Sequence, residues 1–295
     1  MNSLLELESE AIYVIREAYA NLPKGVVLFS GGKDSIVLTH IAMKAFYPLE
    51  VPFDLLHIDT GYNFQETLQF RDRFILKYKL NLLVGSVQSS IDNNEIHEKS
   101  EKIPDRNTLQ SHVLLKELDN NNIDFALGGA RRDEERARSK ERFFSHRNEF
   151  NSWDPKNQRP ELWNIFNCRK HDNENFRVFP ISNWTELDIW EYIRREEIDL
   201  PSLYFSHQRE VFKENGIYLS KSNYIDSSKY ELITKQIRFR TLGDITTSGA
   251  IESKASNVEE IIEELKKSTV SERGNRFDDQ KKNNSLESRK KQGYF

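Results

Sequence analysis

Apolar positions along this chain follow two periods. Leu4, Leu7, Ala11, Val14, Ile15 and Ala18 recur every three or four residues, which predicts an amphipathic helix over 3–21 closed by Pro23 and Gly25. Short apolar runs bounded by turn residues predict buried strands at 25–30, 53–60, 81–87, 124–130 and 176–181, with helical patterns between most of them. Such alternation predicts an α/β fold, a Rossmann-like parallel sheet with helices on both faces. Its ligand is expected beyond the carboxyl ends of the strands, at a topological switch point. Further on, Thr185 and Asp188 carry a capping-box signature for a helix running to Glu196, with Trp184 placed to staple onto Ile189. Beyond Pro201 the pattern changes. Residues 211–219 read as a hairpin around Asn215-Gly216, and Ser256 with Glu259 predicts a capped helix over 257–267. A soft boundary near residue 200 therefore separates a nucleotide-binding domain, 1–200, from a smaller C-terminal extension, 201–295. That extension ends in a polar, basic tail.

The first strand runs directly into Ser30-Gly31-Gly32-Lys33-Asp34-Ser35 and then into an apolar helix over 36–46. A glycine-rich turn opening a helix presents free backbone N–H groups and the positive end of the helix dipole, and the two glycines let phosphate oxygens approach without a Cβ in the way. Ser30 and Ser35 add hydroxyls and Lys33 adds a mobile charge. Asp34 is out of place beside an anion unless it holds a metal ion or caps a donor, which suggests magnesium carried by a nucleotide. A Walker A loop would need glycine at the position of Val27 and Ser or Thr where Asp34 stands; the dinucleotide fingerprint Gly-x-Gly-x-x-Gly is absent. The remaining pattern, Ser-Gly-Gly-x-Asp-Ser, resembles the loop of the N-type ATP pyrophosphatases, which split ATP between its α and β phosphates.

Composition narrows the class. With 37% apolar residues and no run approaching the roughly 20 residues of a membrane span, the chain reads as soluble and globular. An acidic start (Glu6, Glu8, Glu10) lacks the basic character of a secretory signal, so a cytoplasmic location is expected. A net charge of −4 argues against general nucleic-acid binding. The single cysteine, Cys168, excludes an internal disulfide and a thiolate zinc cluster, and the seven histidines form no i, i+4 pair.

Other polar groups fall at predicted strand ends. Asp59, followed by Thr60-Gly61, either faces a nucleotide ribose or a magnesium-bound water, or caps the next helix through an Asx turn. The segment 131–142 holds six basic and four acidic side chains; pairs such as Arg131 with Glu135 and Glu134 with Arg138 fit a solvated helix. Arg131 and Arg132, however, follow a Gly-Gly strand end, where guanidinium forks would meet a tetrahedral oxyanion. The later charges of the run are expected at the surface. Residues 153–163, rich in Pro and polar groups, read as a stiff loop, either over the site or exposed and anchored by Trp153 and Trp163. Arg238 and Arg240 would share one face if extended, as weaker candidates for an anion.

Taken in order, Lys44-Ala45-Phe46-Tyr47-Pro48, His57-Ile58-Asp59-Thr60-Gly61, 128–135, 153–163, Arg177-Val178-Phe179-Pro180, Asn183-Trp184-Thr185-Glu186, 238–243 and 292–295 resemble the small-subunit family of the two-subunit bacterial sulfate adenylyltransferases. That family lies in the phosphoadenylyl-sulfate-reductase-like branch of the ATP pyrophosphatases. The resemblance implies the adenine nucleotide alpha hydrolase-like fold and the reaction of ATP with sulfate to give adenylyl sulfate and pyrophosphate. It also implies magnesium and a GTPase large subunit that drives the uphill step. By the same pattern Ser30, Gly31, Gly32, Lys33, Asp34, Ser35, Asp59 and Gly61 are expected at the nucleotide, with Asp34 at the metal. Lys33, Arg131 and Arg132 are the catalytic candidates, the two arginines for the acceptor or pyrophosphate oxyanion. The chain departs from the family at Asp244-Ile245-Thr246, where Cys-Trp-Pro is usual, at Gly31, and over 88–110. A reductase of the same fold would need a cysteine on a mobile C-terminal tail, and this tail has none. A tRNA-thiolating pyrophosphatase would want two cysteines, and no segment for an amide-forming ligase is visible. A noncatalytic nucleotide-binding scaffold for the large subunit, or a related ATP pyrophosphatase using another acceptor, remains the alternative reading. The basic tail is a candidate for the partner contact.

Overall fold

A computed structural model describes residues 3–134, 138–153 and 158–267. The basic tail at 271–295, with its proposed partner contact, lies outside these.

The predicted strands form as β1 (Gly25–Leu28), β2 (Asp54–Asp59), β3 (Leu82–Ser86), β4 (Phe125–Leu127) and β6 (Asn175–Val178). They pair in parallel in the order β3-β2-β1-β4-β6, and β5 (Phe144–Arg147) adds an antiparallel edge. This edge strand was not expected, because the charges on either side of Phe143-Phe144 hide its short apolar run. Sequence order reverses at β1, which makes the end of β1 the switch point.

Alternation along the strands divides two cores. Val27, Leu55, Phe125, Leu127, Phe176 and Val178 pack in one core with α1 (Ser3–Asn21), α2 (Lys33–Phe46) and α6 (Glu186–Arg195). Val26, Leu28, Leu56 and Ala126 pack on the other face with Leu114 and Leu118 of α5 (Gln110–Asn120). Between β2 and β4 lie α3 (Gln65–Tyr78) and the short α4 (Val87–Asp92). The first helix falls where its stripe predicts. So does α6, whose capping box is complete: Thr185 Oγ1 accepts the Asp188 N–H and the Asp188 carboxylate accepts the Thr185 N–H.

Beyond residue 200, β7 (His207–Glu214), β8 (Ile217–Ser220), β9 (Ile233–Phe239) and β10 (Ala250–Glu252) close a small antiparallel barrel in the order β10-β8-β7-β9. The β7–β8 turn is the expected Asn215-Gly216, both residues at positive φ (49° and 86°). The last helix, α7 (Val258–Lys267), returns to the main core through Ile261 and Ile262. Its cap sits one residue later than expected. Asn257 Oδ1 accepts the Glu260 N–H, and Glu260 reaches back to the Ser256 N–H, so the pair is Asn257 with Glu260 rather than Ser256 with Glu259. Among the described residues no helix is long and apolar enough to cross a membrane.

Candidate active site

At the end of β1 the helix starts earlier than its apolar pattern suggests. Lys33, Asp34 and Ser35 form the first turn of α2, with Gly32 as an N-cap that has no capping side chain. Ser30 Oγ accepts the Gly32 N–H at 3.2 Å and Ser35 Oγ donates to the Gly32 carbonyl at 2.9 Å, so both expected hydroxyls brace the loop itself. The Lys33 N–H donates to the Tyr204 hydroxyl at 2.7 Å. Gly31 sits at φ 76°, and a Cβ there would lie 2.7 Å from Thr67 Cγ2. Only glycine satisfies both conditions.

Asp34 gathers the charges. Its carboxylate takes Lys33 Nζ at 3.0 Å and Arg131 Nε at 2.7 Å. Burial pushes the carboxyl up, but the two cations outweigh this and hold it at about 2. Gly129, at the end of β4, permits the approach, since a Cβ there would stand 3.1 Å from the Asp34 carbonyl carbon. Behind them, Glu186 binds Arg240 through both oxygens (2.6–3.1 Å), which removes Arg240 from anion contact. Burial raises the Glu186 carboxyl, and Arg240, Lys33 and Arg131 together bring it below its usual range. Arg238 is paired with Glu264 at 2.9 Å, while its Nη1 finds no partner among the described residues.

A cavity of about 220 Å³ opens over this loop. Ser30, Gly32, Lys33, Asp34 and Ser35 form one wall, and Leu28, Leu56, Ile58 and Leu114 form an apolar one. Asn107 and Gln110 stand on the α5 side, Glu134 and Arg138 beyond β4, and Thr241, Leu242 and Gly243 on the barrel side. Tyr204, Arg138 and the 241–243 turn were not foreseen as cavity groups. Arg138 was expected at the surface, yet it is only 8% exposed and pairs with Glu134 at 2.6 Å. The pair with Glu135 lies outside the described residues. Composition carries no signal for Tyr204, which is brought to the loop by chain 171 residues away.

Three expected site residues stand elsewhere. Arg132 points away from the cavity: it donates to the Glu141 carbonyl at 3.1–3.2 Å and to Asn183 Oδ1, and lies over the Phe143 ring. The chain turns over 132–134, with the Glu134 N–H donating to the Arg131 carbonyl at 3.3 Å, so the two neighbouring side chains leave it in different directions. Asp59 Oδ1 accepts the Gly61 N–H at 2.7 Å, the Asx turn rather than a cavity contact, and neither residue lines the cavity. Gly61, at φ 76°, leaves room for Arg106, which a Cβ would meet at 2.8 Å. In the 153–163 segment Glu161 accepts the Phe143 and Phe144 N–H groups, Trp163 is exposed, and no described residue lines the cavity.

The donor set fits magnesium delivered with a nucleotide. Among the described residues no group of three or more His, Cys, Asp or Glu side chains can hold an ion alone. Asp34, ionised and 20% exposed on the cavity wall, is the carboxylate that could hold magnesium when phosphates provide its other ligands.

A phosphate-type loop at the switch point of a parallel sheet, with an ionised aspartate and a buried lysine facing an apolar-walled cavity, defines the chain as a nucleotide-binding α/β protein. Residues 24–250 match the family described as the phosphoadenosine phosphosulfate reductase domain. Proteins named sulfate adenylyltransferase subunit 2 align over the whole chain and 95% of their own length: 50% identical in Mycolicibacterium gilvum, 49% in Mycobacterium tuberculosis H37Rv. The chain belongs to the sulfate adenylyltransferase subunit 2 family, within that reductase-type domain family. An FMN adenylyltransferase from Candida glabrata shares the fold, with a TM-score of 0.50 over 93% of this chain and 87% of that one at 14% identity.

Proposed function

We propose that this chain transfers the adenylyl group of ATP to sulfate, forming adenylyl sulfate and pyrophosphate. The observation that carries the reading is the Lys33-Asp34 pair on the loop wall of the cavity, with buried Arg131 bound to Asp34, in a chain half identical to proteins named for this activity. The apolar wall of Leu28, Leu56, Ile58 and Leu114 suits an adenine ring, and the loop suits the β and γ phosphates.

A sulfate oxygen attacks the α-phosphorus while the bond to the β-phosphate oxygen breaks. Sulfate is already ionised, so no general base is required. Catalysis then rests on positioning and on stabilising charge on the leaving pyrophosphate. Lys33 supplies a cation at that end, and Arg131 fixes the Asp34 carboxylate in place. Magnesium, when bound through Asp34, would neutralise phosphate charge. Glu186 and Arg240 hold the cluster from behind.

The product anhydride is unstable, so the reaction is uphill, and the chain has no Walker A loop of its own. We therefore assign the coupling to a GTPase partner subunit, in keeping with the relatives' designation as subunit 2. The test is sulfate-dependent pyrophosphate release from ATP, with magnesium and pyrophosphatase present, by this chain alone and with a candidate GTPase subunit and GTP. Stimulation by partner and GTP is expected, together with a loss of about a hundredfold or more in the Lys33→Met complex. Unchanged turnover in that variant would leave the chain as a nucleotide-binding scaffold.

A further inference from the structure

The arginines expected at the acceptor are committed: Arg131 to Asp34, Arg132 to Glu141 and Asn183, Arg240 to Glu186. Two others each keep two side-chain nitrogens without a partner among the described residues. Arg147, at the end of β5, and Arg177, on β6, have completely buried side chains. Across the ladder Arg147 pairs with Asn175 and Ser145 with Arg177, so all four share one sheet face, continued on β4 by Ala126.

Their present partners are few. Arg147 Nη2 donates to Glu141 Oε1 at 3.0 Å, and Ser145 Oγ donates to the same oxygen at 3.0 Å. Arg177 Nη1 donates to Asn175 Oδ1 at 2.6 Å. Four nitrogens remain, Nε and Nη1 of Arg147 and Nε and Nη2 of Arg177. They are buried and find no hydrogen-bond partner among the described residues. Within the cluster one carboxylate faces two guanidinium groups; Asp119, the other acid near Arg177, is exposed on α5. Burial, with Arg147 beside it, pushes Arg177 down to about 9, and burial pushes Arg147 down to about 10 against the pull of Glu141. A buried cation pair with open donors is costly, and a doubly charged tetrahedral anion supplies both the charge and the acceptors it lacks.

Arg147 and Arg177 do not line the cavity themselves; the turn above them does. Arg138 lines the cavity, and its Nε also lacks a partner among the described residues. The turn carrying Arg138 leads into Glu141, whose N–H donates to the Arg138 carbonyl at 3.0 Å. Strand β6 lies two strands from β1, roughly 10 Å across the sheet, and Arg177 is level through Ala126 with Val26, so the long guanidinium side chains start below the phosphate loop and to one side of it.

We propose that Arg147 and Arg177, with Arg138 on the cavity side, form the subsite for the oxyanion acceptor, a tetrahedral dianion of the size of sulfate. The assignment rests on the adenylyl-transfer reading for its role, but the site itself is tested separately. Crystals of the full-length chain, with a non-hydrolysable ATP analogue filling the loop, are soaked in selenate and measured at the selenium edge. An anomalous peak within hydrogen-bond reach of Arg147 and Arg177 is expected; a peak only at the phosphate loop, or none, overturns the site. In the assembled complex, Arg147→Met and Arg177→Met should each raise the KM for sulfate about tenfold or more, with the KM for ATP within about twofold, and Arg177→Lys should recover part of the loss. An unchanged sulfate KM in a folded variant also overturns it. Should the methionine variants fail to fold, the selenate density decides. Absence of sulfate-dependent turnover in the wild-type complex would sink the adenylyl-transfer reading, and the selenate peak alone would then judge the oxyanion site.

Discussion

An aspartate among phosphate-binding donors survives only if cations answer it, and Asp34 has two. Its folded pKa lies below the unfolded one, so the stability it contributes is present above about pH 4 and is lost as pH falls toward 2. Between pH 5 and 9 the carboxylate stays ionised and is not the source of a pH optimum. Replacing it by Asn removes the nearest carboxylate from the buried Lys33 and Arg131 cations, while Asp133 and Glu134 stay 3.6–3.8 Å from Arg131, and Asp34→Asn should cost about 3 kcal/mol in denaturant unfolding. A loss under about 1 kcal/mol would mean that the two cations find other partners. The neighbouring arginines separate more sharply. Arg131→Ala should cut kcat/KM about a hundredfold by releasing Asp34, whereas Arg132→Ala, whose side chain serves Glu141 and Asn183, should stay within about twofold. Comparable losses in both would contradict the outward course of Arg132. The sequence shows that a Gly-Gly strand end delivers arginines to the site, but which of two adjacent arginines enters depends on where β4 stops.

Elements were legible wherever their signal was local. The α1 stripe, the Thr185-Asp188 box and the Asn215-Gly216 turn each depend on residues a few positions apart, and each forms where those residues place it. The α7 cap shifted by one because Ser256, Asn257, Glu259 and Glu260 offer two overlapping boxes, and the apolar stripe through Ile261 and Ile262 chooses the second. What stayed hidden is nonlocal: the edge strand β5, Tyr204 beneath Lys33, and the paired faces of Arg147 and Arg177 exist only once distant segments are laid side by side. Gly216 isolates the local term. With φ at 86° and nothing within 4 Å of the point where a methyl group would stand, Gly216→Ala should cost only the left-handed backbone penalty, about 1 kcal/mol, whereas Gly31→Ala adds the Thr67 clash and should cost more. Thermal unfolding of the two variants side by side checks the order; equal shifts would mean that Thr67 yields freely.

Across the whole molecule, three histidines are held neutral by burial. His40, His57 and His207 all have pKa values below 6.5, with desolvation as the largest cause in each. His57 is the deepest, 1% exposed, with Nδ1 2.8 Å from the Phe29 carbonyl and Nε2 buried without a partner among the described residues. Since a carbonyl only accepts, Nδ1 carries the proton. A second proton would enter between β1 and β2, immediately before the phosphate loop. Near pH 6 the unfolded chain binds protons at these positions that the folded chain refuses, so stability rises with pH up to about 6.5 and levels off above it. The shifted carboxylates act lower: Glu98, Glu174, Glu186 and Glu196 have depressed values and lose their contribution only below the usual carboxylate range. Glu161, raised by burial, works in the opposite sense. Acidification from pH 7 to 5 should therefore weaken the fold. Replacing His57 with Gln should flatten that slope by up to about 1.4 kcal/mol per pH unit, one proton's worth, whatever it does to the midpoint. Urea unfolding at pH 5, 6, 7 and 8 measures both slopes, and identical pH dependence in the two proteins would show that His57 accepts its proton in the folded state.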